Sequence, residues 1–208
     1  MPFKDVSKAL VTGSPILVFD DSEREGETDI FFSAKHVIPD SIRLLRKHGG
    51  GMVFLASDHT ATQKLGLPFA HDIYHAVSHN SKEFDLLETM LGHALPYDTR
   101  SSFSVFINHK DTFTGITDND RALTSKSFAE LIQDSAQMSD TDSRTRMAQS
   151  FRIPGHVPVC IADRELLQKR QGHTELIVAL MKTLDLIPVA LGCEMLSDDG
   201  NALSPEAA

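Results

Sequence analysis

Between residues 20 and 29 the sequence reads Asp20-Asp21-Ser22-Glu23-Arg24-Glu25-Gly26-Glu27-Thr28-Asp29. Six carboxylates crowd into these ten positions, directly after the apolar run Pro15-Ile16-Leu17-Val18-Phe19. Clustered carboxylates repel, so they cost stability unless a cation or a basic side chain neutralises them. The segment is a candidate for metal binding or acid–base work, with a solvated acidic turn as the plain alternative. Asp21, Glu23, Glu25 and Gly26 imitate the start of an EF-hand loop. Its twelfth position falls on Phe32 and no helix precedes it, which argues against calcium sensing.

A second cluster, Arg170-Gln171-Gly172-His173-Thr174-Glu175, opens a segment with Leu176, Ile177, Leu180 and Leu184 at helical spacing. Amides at a helix N-terminus attract anions, and Gly172 lets a ligand approach the backbone. Arg170 adds a fork suited to phosphate, Thr174 a hydroxyl and His173 a nitrogen able to ligate a metal. An ordinary helix start with an incidental histidine is the alternative.

Three further constellations are weaker alone. Arg152-Ile153-Pro154-Gly155-His156 places an imidazole beside a tight turn, where it can act as an acid or base near neutral pH. The stretch from Thr112 to Arg121 sets hydroxyls, Gly115 and an arginine before a helix, which suits a phosphate. Glu194 ends an apolar strand, the position of many catalytic bases, and Asp198-Asp199-Gly200 beyond it reads equally as a turn.

The elements that must position these groups are read from apolar runs and breakers. Helices are expected at Phe3 to Val11, Pro39 to about residue 48, within 57 to 68, at Glu83 to Leu91, at about Arg121 to Gln133 with Asp118 as cap, and at Thr174 to Leu184. Strands are expected at residues 15–19, 30–32, 52–56, 103–108, 157–162 and 188–193. Residues 69–98 are polar and histidine-rich, and residues 134–150 read as a mobile surface loop. Strands and helices interleave without a strict βαβ rhythm, and no nucleotide-binding glycine fingerprint follows any strand. The fold class is therefore α+β, a single domain over residues 1–208 with a mixed β-sheet flanked by helices, not a Rossmann fold.

Composition narrows the function classes. The chain has 208 residues, 41% hydrophobic and 24% charged, with a formal net charge of −9. An acidic surface of this kind argues against nucleic acid as a partner, so any phosphate must be met locally. No apolar run approaches the roughly 20 residues that cross a bilayer, and the N-terminus lacks the apolar core of a signal peptide. A cytoplasmic location is the expectation. Cys160 and Cys193 lie in apolar stretches and read as buried, inert thiols.

Taken together the clusters resemble the dihydroxybutanone phosphate synthases. The acidic loop 20–29, Thr114-Gly115-Ile116-Thr117 with Asp120-Arg121, Arg152 to His156, Gly172-His173-Thr174-Glu175, and Cys193-Glu194 with Asp198-Asp199-Gly200 stand in that family's order. Thr28 in place of glycine, residues 69–98 and Thr112 to Arg121 are similar to the archaeal-type members. The resemblance implies an enzyme of riboflavin synthesis that turns ribulose 5-phosphate into a four-carbon ketone phosphate and formate. It implies Mg²⁺, with Mn²⁺ as an alternative, held by Glu25 and His173, and an enediolate stabilised by the ion. Arg24, Glu25, Asp29, Arg170, Gly172, His173, Thr174 and Glu194 match substrate-contact positions. His156 and Glu194, with Glu27 and Asp29, are implied as proton-transfer groups. A homodimer with the site near the subunit interface is implied as well.

The sequence departs from the family pattern at Phe54, where many members carry cysteine, and at Gln171, where many carry glycine. Relatives usually continue through another helix and strand beyond the last motif. An inactive or substrate-binding paralogue, or another metal-dependent sugar-phosphate isomerase or aldolase, is the competing reading. Intact Glu25, His156, His173 and Glu194 argue against the first, and formate release separates the second.

Overall fold

The protein is described by a computed structural model covering residues 2–93, 95–96 and 98–208. Helix α1 (Pro2–Val11) leads into β1 (Ile16–Phe19) and β2 (Thr28–Ser33). Then come α2 (Pro39–His48), β3 (Phe54–Ser57), α3 (His59–Lys64), α4 (Ala70–Asn80) and α5 (Asp85–Leu91). The second half holds β4 (Phe103–His109), α6 (Asp118–Ser135), α7 (Asp140–Ser150), β5 (Phe151–Ile161), α8 (His173–Thr183) and β6 (Val189–Glu194). Among the described residues the strands form one sheet of six, ordered β1-β2-β6-β3-β5-β4. Only β3 and β5 run parallel; the other neighbours are antiparallel. The expected mixed sheet flanked by helices is what the chain forms.

Successive side chains of a strand point to opposite faces, so strands buried on both faces read as unbroken apolar runs. Phe54–Ser57 and most of β2 and β6 behave this way. Ile30, Phe32, Leu55, Val159 and Leu191 face a core closed by Ile42 and Leu45 of α2 and Phe128 and Ile132 of α6. Phe31, Phe54, Ala56, Cys160 and Ala190 face the opposite core, closed by Leu10 of α1 and Ile177, Val178 and Met181 of α8. Cys160 and Cys193 are free and buried, as expected. Gly192 of β6 sits opposite Phe31, and a Cβ built there would lie 2.2 Å from the Phe31 ring. The missing side chain makes room for that ring, which packs edge-on against Phe54 with centroids 5.7 Å apart.

Several expectations are corrected. Residues 134–150, expected as a mobile loop, are helical: α6 runs to Ser135, and Asp140–Ser150 form α7. The Ser139 hydroxyl caps α7 by accepting from the Asp142 amide at 3.1 Å, and buried Met147 anchors it. One apolar anchor plus a cap suffices, which hydrophobic periodicity does not reveal. The cap of α6 is Thr117, whose Oγ1 accepts from the Asp120 amide at 3.1 Å. Asp118 instead pairs with Arg46 and Arg121 at 3.1 and 3.3 Å. Within 69–98 an unexpected helix, α4, precedes the expected one. Finally, β5 starts earlier than expected. Arg152 and Val157 pair with the consecutive residues Asn108 and Ile107, so residues 153–156 loop out of the ladder as a bulge that carries His156.

Candidate active site

Two strands and one helix start bring the site together. On β2 and β6, Asp29 and Glu194 are directly opposed, on the sheet face that α8 covers. Helix α8 begins at His173, with Gly172 as its N-cap, and delivers the imidazole against the loop that joins β1 to β2. At the head of that loop Asp20 is buried. Its Oδ1 accepts from the Glu27 amide at 3.0 Å, and its Oδ2 accepts from the Glu25 amide at 3.3 Å and from Arg24 Nη1 at 3.0 Å. The acidic loop, which has no apolar anchor, is thus wrapped around one carboxylate.

Glu25 lies between two cations. Arg24 Nη1 is 2.7 Å and His173 Nδ1 3.4 Å from Glu25 Oε2. The other imidazole nitrogen is 3.0 Å from the Glu27 carbonyl and 3.7 Å from Asp29 Oδ1. One ligand atom each from Asp20, Glu25 and His173 lie within 4.8 Å of one another. Two carboxylates and an imidazole beside the buried Asp29 Oδ1, which has no hydrogen-bond partner among the described residues, form a donor set that fits a divalent cation. Glu25 and His173 were the two ligands expected from sequence; Asp20 is the addition.

The electrostatics separate the carboxylates into two kinds. Burial raises the Glu25 carboxyl, but hydrogen bonds from His173 and Arg24 more than offset it and hold it at about 2. His173 shows the mirror effect: burial lowers it, yet the hydrogen bond to Glu25 and the charges of Asp29 and Asp20 lift it to about 9. Asp29 is pushed up to about 8 by burial, against the pull of His173 and with the help of Glu194 and Glu27. Burial also raises Glu27, reinforced by Glu25 and Glu194, and it raises Glu194, reinforced by Glu25. Asp29, Glu27 and Glu194 therefore hold protons more tightly than ordinary carboxylates, as proton-transfer groups must near neutral pH.

A cavity of about 300 Å³ opens on this cluster, lined by Glu25, Asp29, His173, Thr174, Glu194, Arg170, Phe54 and Cys160 among others. It shares Arg100, Ser101, Ser102 and Arg170 with a neighbouring cavity of about 440 Å³ that also takes in Asp98, Lys169 and Glu175. Arg170 is ion-paired with Asp98 and with the fully buried Glu175. Glu175 also accepts from the Asp163 amide at 2.8 Å. Over Gly172 the space a Cβ would fill is taken by the guanidinium groups of Arg170 and Arg24, at 2.4 and 2.9 Å. Glycine there lets both cations stand over the start of α8.

Two expected regions lie elsewhere. Thr112 to Arg121 does not offer its amides to a ligand: the Asp120 carboxylate accepts from Phe113, Thr114 and Gly115 at 3.4, 3.2 and 2.8 Å. Arg152 clasps the same turn, donating to the Thr112 carbonyl and hydroxyl at 3.1 Å. His156 does not line either cavity. Its ring Nδ1 is 3.1 Å from Asn108 Nδ2 and its amide donates to Asn108 Oδ1 at 2.9 Å. Asp198-Asp199-Gly200 is a turn, closed by Ser197 N to the Asn201 carbonyl at 2.8 Å. Sequence reasoning missed Asp98, Arg100 and Glu175 as wall residues. Only Glu175 carried a signal, as a carboxylate in the first turn of an apolar helix.

A family model described as 3,4-dihydroxy-2-butanone 4-phosphate synthase matches residues 4–208. The synthase of that name from Archaeoglobus fulgidus is 40% identical over all of this chain and 85% of the relative. That of Methanothermobacter thermautotrophicus is 39% identical over 99% of this chain and 86% of the relative. Among solved structures, a cation-free crystal form of such a synthase superposes with a TM-score of 0.68 at 24% identity, over 97% of this chain and 80% of that one. The two-domain RibBX synthase of A. baumannii gives 0.71 at 21% identity, over 99% of this chain and 51% of that one. At those identities the superpositions speak for the fold alone. Matched by the family model over nearly its full length and by relatives of about 40% identity along their own, the chain belongs to the 3,4-dihydroxy-2-butanone 4-phosphate synthase family.

Proposed function

We propose that this member of the family converts D-ribulose 5-phosphate to L-3,4-dihydroxy-2-butanone 4-phosphate and formate through the cluster of Asp20, Glu25, Asp29, His173 and Glu194. The observation that carries the reading is one cavity lined by Glu25 and His173 of the cation site, by the raised carboxylates Asp29 and Glu194 and by Arg170.

Each group has a job. Glu25 and His173 hold a magnesium ion, with Asp20 completing the donor set and fixing the loop. A family structure described as a complex with two magnesium ions supports this choice. The ion, when bound, supplies positive charge for the sugar's hydroxyl and carbonyl oxygens. Arg170, Thr174 and the amides at the start of α8 receive the phosphate, with Arg24 beside them. Asp98 and Glu175 neutralise Arg170 when the phosphate is not there. Asp29 and Glu194 then share the proton work at the sugar carbons. They face each other with both carboxyls raised by burial, which suits a pair that takes a proton at one step and returns one at another. Glu27 is held in reserve beside them.

His156 enters from a second copy of the chain. The bulge that carries it stands beside Phe113 and Ile153, apolar side chains 93% and 64% exposed, which a second copy of the chain would cover. A homodimer that covers them brings an imidazole to the neighbouring cavity. Mixing a His156→Ala chain with a Glu25→Gln chain should restore activity neither has alone; no restoration sinks the shared site.

The reaction itself is tested by incubating the protein with ribulose 5-phosphate and Mg²⁺ and assaying formate. One formate per sugar consumed is expected. Consumption of sugar without formate would make the chain an isomerase or aldolase, and no consumption an inactive binder.

A further inference from the structure

Outside the active site, α4 carries His71, His75 and His79 at intervals of four residues. Four residues advance a helix by about 6 Å and return to the same face. The three rings accordingly stand in a ladder, with centroids 6.4 and 5.8 Å apart and planes within 13° and 9° of parallel. His75 and His79 are exposed, and the half-buried His71 has Asp72 3.4 Å from its Nδ1. None of the three takes part in the proposed reaction.

Two imidazoles four apart on a helix form the arrangement by which H-E-x-x-H helices grip zinc. Nitrogen donors favour ions of the Ni²⁺, Cu²⁺ and Zn²⁺ type and disfavour magnesium, which prefers oxygen. We infer that the ladder is a second metal site, in which His75, together with either His71 or His79, chelates one borderline transition-metal ion. Parallel rings at adjacent rungs need only side-chain rotation to turn a nitrogen each towards a common ion, about 2.0–2.1 Å away. Water completes the coordination, because His75 and His79 are exposed.

The sharing of His75 makes the site separable from every other arrangement. The test is calorimetric titration of the full chain with Ni²⁺ in excess Mg²⁺, which keeps the oxygen-rich active site occupied. The parent should bind one Ni²⁺ per chain, and its thermal unfolding midpoint should rise with Ni²⁺, since a ligand of the native state stabilises it. His75→Ala, and its milder form His75→Gln, should lose both effects. His71→Ala and His79→Ala should each keep an ion, because a pair remains, while the double variant should lose it. His173→Ala should bind Ni²⁺ like the parent. Loss in one end variant only would still support the site and identify the pair. The inference is overturned if the parent binds no Ni²⁺, if His75→Ala binds as the parent does, or if His173→Ala removes the ion.

Discussion

Asp29 of β2 and Glu194 of β6 are Cα partners across an antiparallel strand pair, and burial pushes both carboxyl groups above their usual range. Like charges directly opposed on one sheet face destabilise it. The pair is tolerable only with a proton on one member or a cation nearby, and His173 stands 3.7 Å from Asp29.

This sets the pH dependence of the metal-free protein. Asp29 is raised from 3.8 to about 8, so the stability its bound proton contributes is full below 3.8 and is lost progressively as pH climbs to about 8. His173 is raised from 6.5 to about 9, so its contribution is present below 6.5 and lost as pH rises through 9. Both slopes have the same sign above pH 7. His36, His59 and His109, whose affinities are lowered, oppose them only below 6.5. Thermal unfolding in a chelator should therefore show a midpoint falling from pH 7 to 9, with Asp29→Asn flattening the first part of the fall. A midpoint that rises over this range contradicts the assignment.

Magnesium binding should release a proton. His173 carries one at neutral pH because Glu25, Asp29 and Asp20 hold it there against burial, and an imidazole must be neutral to ligate. Titration calorimetry at pH 7.5 in buffers of different ionisation enthalpy should give heats that vary with the buffer. Affinity should rise with pH towards 9. Buffer-independent heats would place His173 outside the ion's coordination.

Asp20→Asn tests the organiser of the loop. The substitution keeps the shape, removes the charge that Arg24 meets at 3.0 Å and sets an amide against the Glu25 or Glu27 N–H. Magnesium affinity should fall by at least about 10–100-fold, the loss that a supporting group alone would give, because Asp20 also belongs to the donor set. Stability should fall by about 1–3 kcal/mol. Unchanged affinity would show that the loop holds its form without Asp20.

Arg170→Ala should do two things. It leaves the fully buried Glu175 without its cation, which costs about 3–5 kcal/mol when one member of a buried pair is removed. It also strips the phosphate contact, raising KM more than it lowers kcat. Adding Glu175→Gln should recover most of the stability and none of the KM. Recovery of KM in the double variant would move the phosphate away from Arg170.

The parts of the site that sequence made legible sit at the ends of unbroken apolar runs. Glu194 follows Val189–Cys193, Asp29 precedes Ile30, and His173 opens the stripe of α8. Strand ends and helix starts are fixed by the core beneath them, so their polar neighbours are placed too. What stayed hidden depends on pairings across the chain. Asp98 meets Arg170 across 72 positions. The Asp120 carboxylate fills the amide turn that looked open to phosphate. Helix α7 has too few apolar residues to show a period. The outlooping of residues 153–156 carries His156 away from the cavity, and nothing in Pro154-Gly155 distinguishes a bulge from a turn that points inward.

The glycine at position 192 bears on how the pocket can change over generations. A single methyl group there would collide with Phe31, whose ring braces Phe54 at the cavity wall, and it would do so two residues from Glu194. Drift in this strand is therefore silenced from beneath: variants at 192 fall out through misplaced aromatic rings before their effect on the substrate is ever tried. Phe54, buried edge-on against that ring, is itself one of the residues that line the cavity. Changes at this wall of the cavity therefore have to be made at Phe54 together with the ring that packs on it, not at position 192.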